Sequence, residues 1–309
     1  MFRQAENKVK IEGILSEIHL KYGSFVKNGE TVETVGGNIK VLVDQVINGQ
    51  EMNLEIPVYM FSTKYTKTGK VNPSYTSIET ILKEFKSIAA TGDKAQADKI
   101  RITSGYIRMN EFVGKNGQIV SVPRVHASFV SRAIGEFKPE ATFNLEFMVS
   151  DIARVTDRDG VEVDPAKLSI QVIVPQYTAP SASAMNVDVV TLYAVSNSVI
   201  NAVESYWEPG KCYKASGRLN FTSKVETTVQ EVDFGEAQET VHTINVSEFI
   251  VTGGSQAPLD GDYAFELDEI KAGMAARNAK LEDMKNGTKS TAKMTPAQNS
   301  TKGKFDLGF

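Results

Sequence analysis

The chain carries one series of structural signals twice, in the same order. Glu12-Gly13-Ile14-Leu15-Ser16-Glu17-Ile18 returns loosely as Glu146-Phe147-Met148-Val149-Ser150-Asp151-Ile152. Ile56-Pro57-Val58-Tyr59-Met60-Phe61 has its counterpart in Val190-Thr191-Leu192-Tyr193-Ala194-Val195. Each is followed by apolar residues at helical spacing: Ile78, Ile81, Leu82, Phe85 and Ile88, then Val199, Ile200, Val203, Tyr206 and Trp207. Ser74 or Ser77, and Ser196, stand where helix caps belong. A strand interrupted by glycine comes next, Ile102–Ile107 with Gly105 and Tyr213–Leu219 with Gly217. An apolar strand closes each unit, around Val125–Val130 and Ile244–Val251. An internal repeat of this kind outranks any single local signal, because two copies must satisfy the same packing problem.

Three strands, a helix and two strands is the order of the five-stranded oligonucleotide-binding (OB) barrel. The expected fold is all-β: two tandem OB-like barrels, each with one helix. A small barrel closes by bending its strands sharply, and a glycine permits the bend. The expected domains are residues 1–136, 137–257 and 258–309. In the last, residues 265–285 read as an amphipathic helix with Phe265, Ile270, Met274, Leu281 and Met284 apolar, stopped by Asn286-Gly287. This helix is expected to pack on a barrel or a second subunit. Residues 288–304 read as a polar tether, ending in the apolar tip Phe305-Asp306-Leu307-Gly308-Phe309.

Charge divides along the same lines. The net charge of −4 conceals 18 Lys and Arg against 14 Asp and Glu in residues 1–136, and 8 against 16 in residues 137–258. A phosphate backbone therefore belongs on the first unit. Binding of a single strand needs cations to follow phosphates and flat rings on which unpaired bases stack. Residues 56–78 contain no acid, and Lys64, Tyr65, Lys67 and Lys70 interleave there. Leu54, Ile56, Val58 and Met60 alternate as barrel interior, which turns Tyr59 and Phe61 outward. Lys21, Tyr22, Phe25 and Lys27 form a second candidate cluster between the first two strands. Beyond the glycine bend, Tyr106, Arg108 and Phe112 share one phase, preceded by Arg101; Arg124 is a weaker addition. In the second unit Lys211, Tyr213, Lys214, Arg218 and Phe221 make a smaller version of the surface, and Trp207 is read as a barrel plug.

Enzymatic readings find little to stand on. His19, His126 and His242 are widely spaced, and no His-x-x-x-His or Cys-x-x-Cys ligand pair occurs. Asp157-Arg158-Asp159-Gly160 lacks the ligand spacing of a calcium loop and reads as a turn. No phosphate-binding glycine loop is present, and no cofactor or metal is implied. A single cysteine, Cys212, and the absence of an apolar run of eighteen residues point to a soluble protein of a reducing cytoplasm.

The opening Asn7-Lys8-Val9-Lys10-Ile11-Glu12-Gly13 and the closing Phe305–Phe309 resemble single-stranded DNA-binding proteins, particularly those of bacteriophages. The resemblance implies coating and protection of single strands in DNA replication, recombination and repair, largely independent of base sequence. It also implies docking of replication or recombination proteins on Phe305, Asp306, Leu307 and Phe309. Two alternatives stay open: a structural or interaction protein of a phage particle, and an RNA-binding OB protein. Assembly of several copies of the chain is open as well.

Overall fold

A computed structural model describes residues 2–47, 49–230 and 238–287, without the side chains of residues 223–245. The tether and the tip expected at 288–309 lie outside the described residues. The first five strands are β1 (Asn7–Lys27), β2 (Glu30–Ile47), β3 (Gln50–Thr63), β4 (Lys99–Val113) and β5 (Ile119–His126). They close into a barrel through antiparallel pairings β1–β2, β2–β3, β4–β5 and β1–β4 and one parallel pairing, β3–β5. Helix α1 (Pro73–Glu84) and the single turn α2 (Ile88–Thr91) lie between β3 and β4. A two-residue strand, β6 (Ser131–Arg132), edges β4.

The second barrel repeats this order. It consists of β7 (Glu140–Arg154), β8 (Leu168–Pro175), β9 (Val187–Ala194), α3 (Asn197–Tyr206), β10 (Cys212–Gln230) and β11 (Gln238–Gly254). Its pairings β7–β8, β8–β9, β9–β11, β10–β11 and β7–β10 reproduce the first set, again with a single parallel pair. The two barrels share a sheet through antiparallel pairing of β1 with β7 over Asn7–Glu12. The repeat extends to irregularities. β1 shifts register between Leu15 and Glu17, and β7 does so between Val149 and Asp151, the matching positions of the two repeat copies. Such a bulge bends a strand so that its two halves can pair with different neighbours.

Alternation explains the core. Leu54, Ile56, Val58 and Met60 are buried, as are Leu168, Ile170 and Val172. One continuous core fills both barrels. Trp207 follows α3 and is 7% exposed; its indole Nε1 donates to the Ser255 carbonyl at 2.8 Å, and its ring stacks on Tyr213 at 5.3 Å. It does plug the barrel, and a buried indole of this size is tolerated because its N–H is satisfied.

Some local expectations need correction. Neither Ser74 nor Ser77 caps α1: the Asn72 carboxamide oxygen accepts from the Ser74 N–H at 3.1 Å, with Pro73 at the first helical position. Ser196 occupies the cap position of α3 but makes no side-chain cap bond. The strand closing the first unit is Ile119–His126, because a turn at Asn116-Gly117 brings Ile119 opposite Val113; residues 127–130 lie beyond it. The last helix, α4 (Leu267–Lys285), packs on the second barrel through Ile270 and Met274, beside Phe265, Met185 and Val187.

Candidate nucleic-acid interface

Strand register gathers side chains from distant parts of the sequence onto the outer surface of the first barrel. Asn38 of β2 stands opposite Tyr59 of β3, Tyr59 opposite His126 of β5, and His126 opposite Tyr106 of β4. The rings follow this order, with centroids 5.8 Å apart for Tyr59–His126 and 5.5 Å for Tyr106–His126, the latter stacked at 20°. One row along, Arg124 faces Arg108, and the Arg124 guanidinium lies 4.1 Å from the Tyr59 ring centroid. The result is a three-ring platform flanked by two arginines. Burial, and then the charges of Arg108 and Arg124, hold the His126 imidazole down to about 4. Near pH 7 it is a neutral, flat ring.

Most of the residues read from the sequence join this face. Phe61 is 64% exposed on the same side of β3 as Tyr59. Lys21 pairs opposite Gly36, which in turn faces Phe61, so Lys21, Phe25 and Lys27 extend the face along the β1–β2 hairpin. Phe112 lines a groove of about 380 Å³ with Tyr59, Arg124 and Lys40, and Phe221 and Ser247 of the second barrel form its opposite wall. Tyr65, 51% exposed, starts a tight hairpin in which Thr66 N–H donates to the Lys70 carbonyl at 2.8 Å; Lys67 and Lys70 are exposed at its tip.

Three residues turn elsewhere. Arg101 makes a fork to Glu12, its Nε and Nη2 donating at 2.9 and 2.8 Å, with Nη2 also donating to the Glu136 carbonyl. Glu12 is 3% exposed, and the hydrogen bonds from Arg101 hold its carboxyl below the usual range. Arg101 is thus a strut between β4 and β1. Tyr22 has the opposite phase to Lys21, and its hydroxyl donates to Glu79 of α1 at 2.8 Å. Lys64 is paired with Glu33 at 2.6 Å.

The smaller surface expected on the second barrel does not form. Tyr213 is fully buried and Phe221 is 3% exposed, since both share the inward phase of Leu219. Lys214 is paired with Glu6 at 2.5 Å, and burial lowers the pKa of Arg218. The repeat makes the contrast exact in position. Where the first barrel has Tyr59 and His126, the second has Tyr193 opposite Ile250, which is 1% exposed. Where the first has Arg108 facing Arg124, the second has Asn220 facing Glu248, joined by a hydrogen bond of 3.1 Å. Lys167 lies over the Tyr193 ring at 4.2 Å much as Arg124 lies over Tyr59 at 4.1 Å, but its charge is ion-paired with Glu248. One copy presents two arginines, of which Arg108 is also held by Asp188 at 3.2 Å with 43% of its side chain exposed; the other presents Glu248 neutralised by Lys167.

His126 escaped the sequence reading, and Arg124 carried little weight in it. Their signal is the outward phase they share with Val122, which is visible only once the strand is set at Ile119–His126. Among the described residues no cluster of three or more His, Cys, Asp or Glu is placed to hold a metal, and no helix is long and apolar enough to cross a membrane. Asp157 belongs to a turn, its carboxylate accepting from the N–H groups of Asp159 and Val161, each at 2.9 Å.

Fold and surface together define a two-barrel OB protein with one cationic, aromatic barrel face. The chain belongs to the YorF family, whose model matches residues 5–287. No curated protein matches it. Among solved structures it is similar to the wild-type single-stranded DNA-binding protein from Thermus aquaticus, with 10% identity, a TM-score of 0.50, and coverage of 84% of this chain and 96% of that one. A deletion mutant of the same Thermus aquaticus protein matches with 13% identity and a TM-score of 0.48, over 84% and 97% of the two chains. The likeness to the wild-type protein is one of fold.

Proposed function

We propose that the chain binds single-stranded DNA on the outer face of its first barrel, without regard to base sequence and without acting on it chemically. The observation that carries this reading is the Arg108–Arg124 pair beside the Tyr59–His126–Tyr106 platform. Its counterpart on the second barrel is Asn220 with Glu248. Two neighbouring guanidinium groups concentrate positive charge on this face beyond what Asp188 offsets at Arg108, and a phosphate backbone can replace the counter-ions they hold. The rings accept any base, because every base has a π-face. The same fold serves single-stranded DNA in the Thermus aquaticus protein.

On this reading residues 1–136 are the main binding domain and 137–257 a supporting one. The strand is coated, which keeps it from re-pairing and from nucleases during replication, recombination and repair of phage DNA in the host cytoplasm. Lys67 and Lys70 guide phosphates, whereas Lys64 is already neutralised by Glu33. Replacing Lys67 and Lys70 together with alanine should flatten the log–log salt dependence of oligothymidine affinity by about 1.4, at roughly 0.7 per phosphate contact. Lys64→Ala alone should leave the slope as it is. Equal slopes for all three proteins would remove this hairpin from the DNA path.

The tip Phe305-Asp306-Leu307-Gly308-Phe309 is proposed to dock partner proteins of replication or recombination, since two phenylalanines on a polar tether suit an apolar pocket. Deleting residues 305–309 should abolish co-purification of such partners and leave oligothymidine affinity unchanged. A matching loss of DNA affinity would count against docking as the role of the tip.

A further inference from the structure

A second cleft opens at the seam between the barrels, on the far side of Tyr106 from Tyr59. Its volume is about 530 Å³, and its walls include Lys8, Gly105, Tyr106 and Arg108 from one barrel and Gln176 and Tyr177 from the other. We propose that this cleft is a second nucleotide subsite for the same single strand, which crosses from the first barrel to the second between Tyr106 and Tyr177. The inference rests on the single-strand reading above and extends it to the second barrel.

Continuity, exposure, charge, held walls and size all support it. The cleft shares Tyr106 and Arg108 with the platform, so the two sites are one continuous surface. Tyr177 is 74% exposed, so its ring is open to a stacking base. Its backbone is held in place by the Asn186 carboxamide, which donates to the Tyr177 carbonyl at 3.1 Å.

The charge is placed as well. The Nε of Arg108 donates to Asp188 at 3.2 Å; Asp188 is nearly buried, while 43% of the arginine side chain stays open to solvent. The carboxylate thus aims the guanidinium without removing it from the surface. Lys8 is 68% exposed, with Glu6 at 3.6 Å, and Glu6 lies closer to Lys214, at 2.5 Å. The walls are rigid. Gln176 donates to the Ile107 carbonyl at 3.1 Å, and Asn7 bridges both groups, donating to that carbonyl at 2.8 Å and to the Gln176 carboxamide oxygen at 3.2 Å. The volume falls within the range of small-ligand pockets, about 300–1,000 Å³.

The test uses the full chain, a variant carrying Lys8→Ala and Tyr177→Ala, and oligothymidines of about 8 and about 30 nucleotides, the shorter one sized to a single barrel. Both replaced side chains are largely exposed, so folding should be preserved and is checked by circular dichroism. The variant should bind the long oligomer at least about tenfold more weakly and the short one within about twofold of the wild type. Equal affinities for both oligomers, or equal losses for both, would overturn the seam subsite while leaving the first-barrel face intact. Thymidine monophosphate that binds the wild type tightly without displacing either oligomer would make the cleft a site for free nucleotide, and would equally overturn it. Failure of the wild type to bind either oligomer would instead remove the single-strand reading itself.

Discussion

Replacing Tyr59 and Arg124 together with alanine should weaken oligothymidine binding at low salt by about 100-fold and leave the fold intact. Tyr59 supplies one end of the ring platform, and a stacked base is worth about 1–3 kcal/mol. Arg124 supplies a cation held over that ring at 4.1 Å, so the two losses are coupled rather than independent. Tyr59 is only partly buried on the outside of β3, where truncation opens no core cavity. The internal control is Tyr193→Ala, the repeat-related position, where Lys167 and Glu248 already occupy the ring's surroundings. Its effect on affinity should stay within about threefold. Fluorescence anisotropy measures all three proteins. If Tyr193→Ala costs as much as the double change, the outer faces of the two barrels contribute equally to binding.

Gly217→Ala should destabilise the protein by about 3 kcal/mol or more, whereas Gly105→Ala should cost about 1 kcal/mol. The two glycines hold the same position in the repeat but not the same space. A Cβ at Gly217 would lie 2.1 Å from the Ile250 carbonyl oxygen and 2.4 Å from the Phe143 ring, which is itself 1% exposed and packed edge-on against Phe249. Neither the backbone nor a locked core ring can retreat without opening the β10–β11 ladder. At Gly105 the nearest atoms are 3.1 and 3.3 Å away, so small shifts suffice. Urea denaturation monitored through Trp207 reads the difference, because this indole sits in the second barrel. Equal losses at the two sites would mean that the close approach at Gly217 is not what selects glycine there.

The fold was legible because repetition supplied what a single copy lacks. Each strand alone is an ambiguous apolar run, but the recurrence of order specifies one barrel twice; the matching bulges at Leu15/Glu17 and Val149/Asp151 emerge only from the strand register. The outward placement of Tyr59 and Phe61 was legible too, since alternation is local and Leu54, Ile56, Val58 and Met60 state the inward phase. Register is not local. Nothing near Arg101 in sequence announces Glu12, 89 residues away. Likewise the meeting of Tyr59, His126 and Tyr106 depends on which strands neighbour one another. Tyr213 and Phe221 were misplaced for a different reason: grouping them with Arg218 mixed two strand phases, and the inward phase belongs to Leu219.

The most direct measurement is titration of a fluorescent oligothymidine with the full chain over a series of salt concentrations. Occupancy of the Arg108–Arg124 face predicts saturable binding at low salt that weakens steeply and linearly on a log–log plot, as counter-ions released by phosphate contacts demand. Absence of binding at low salt, or an affinity that ignores salt, would contradict it.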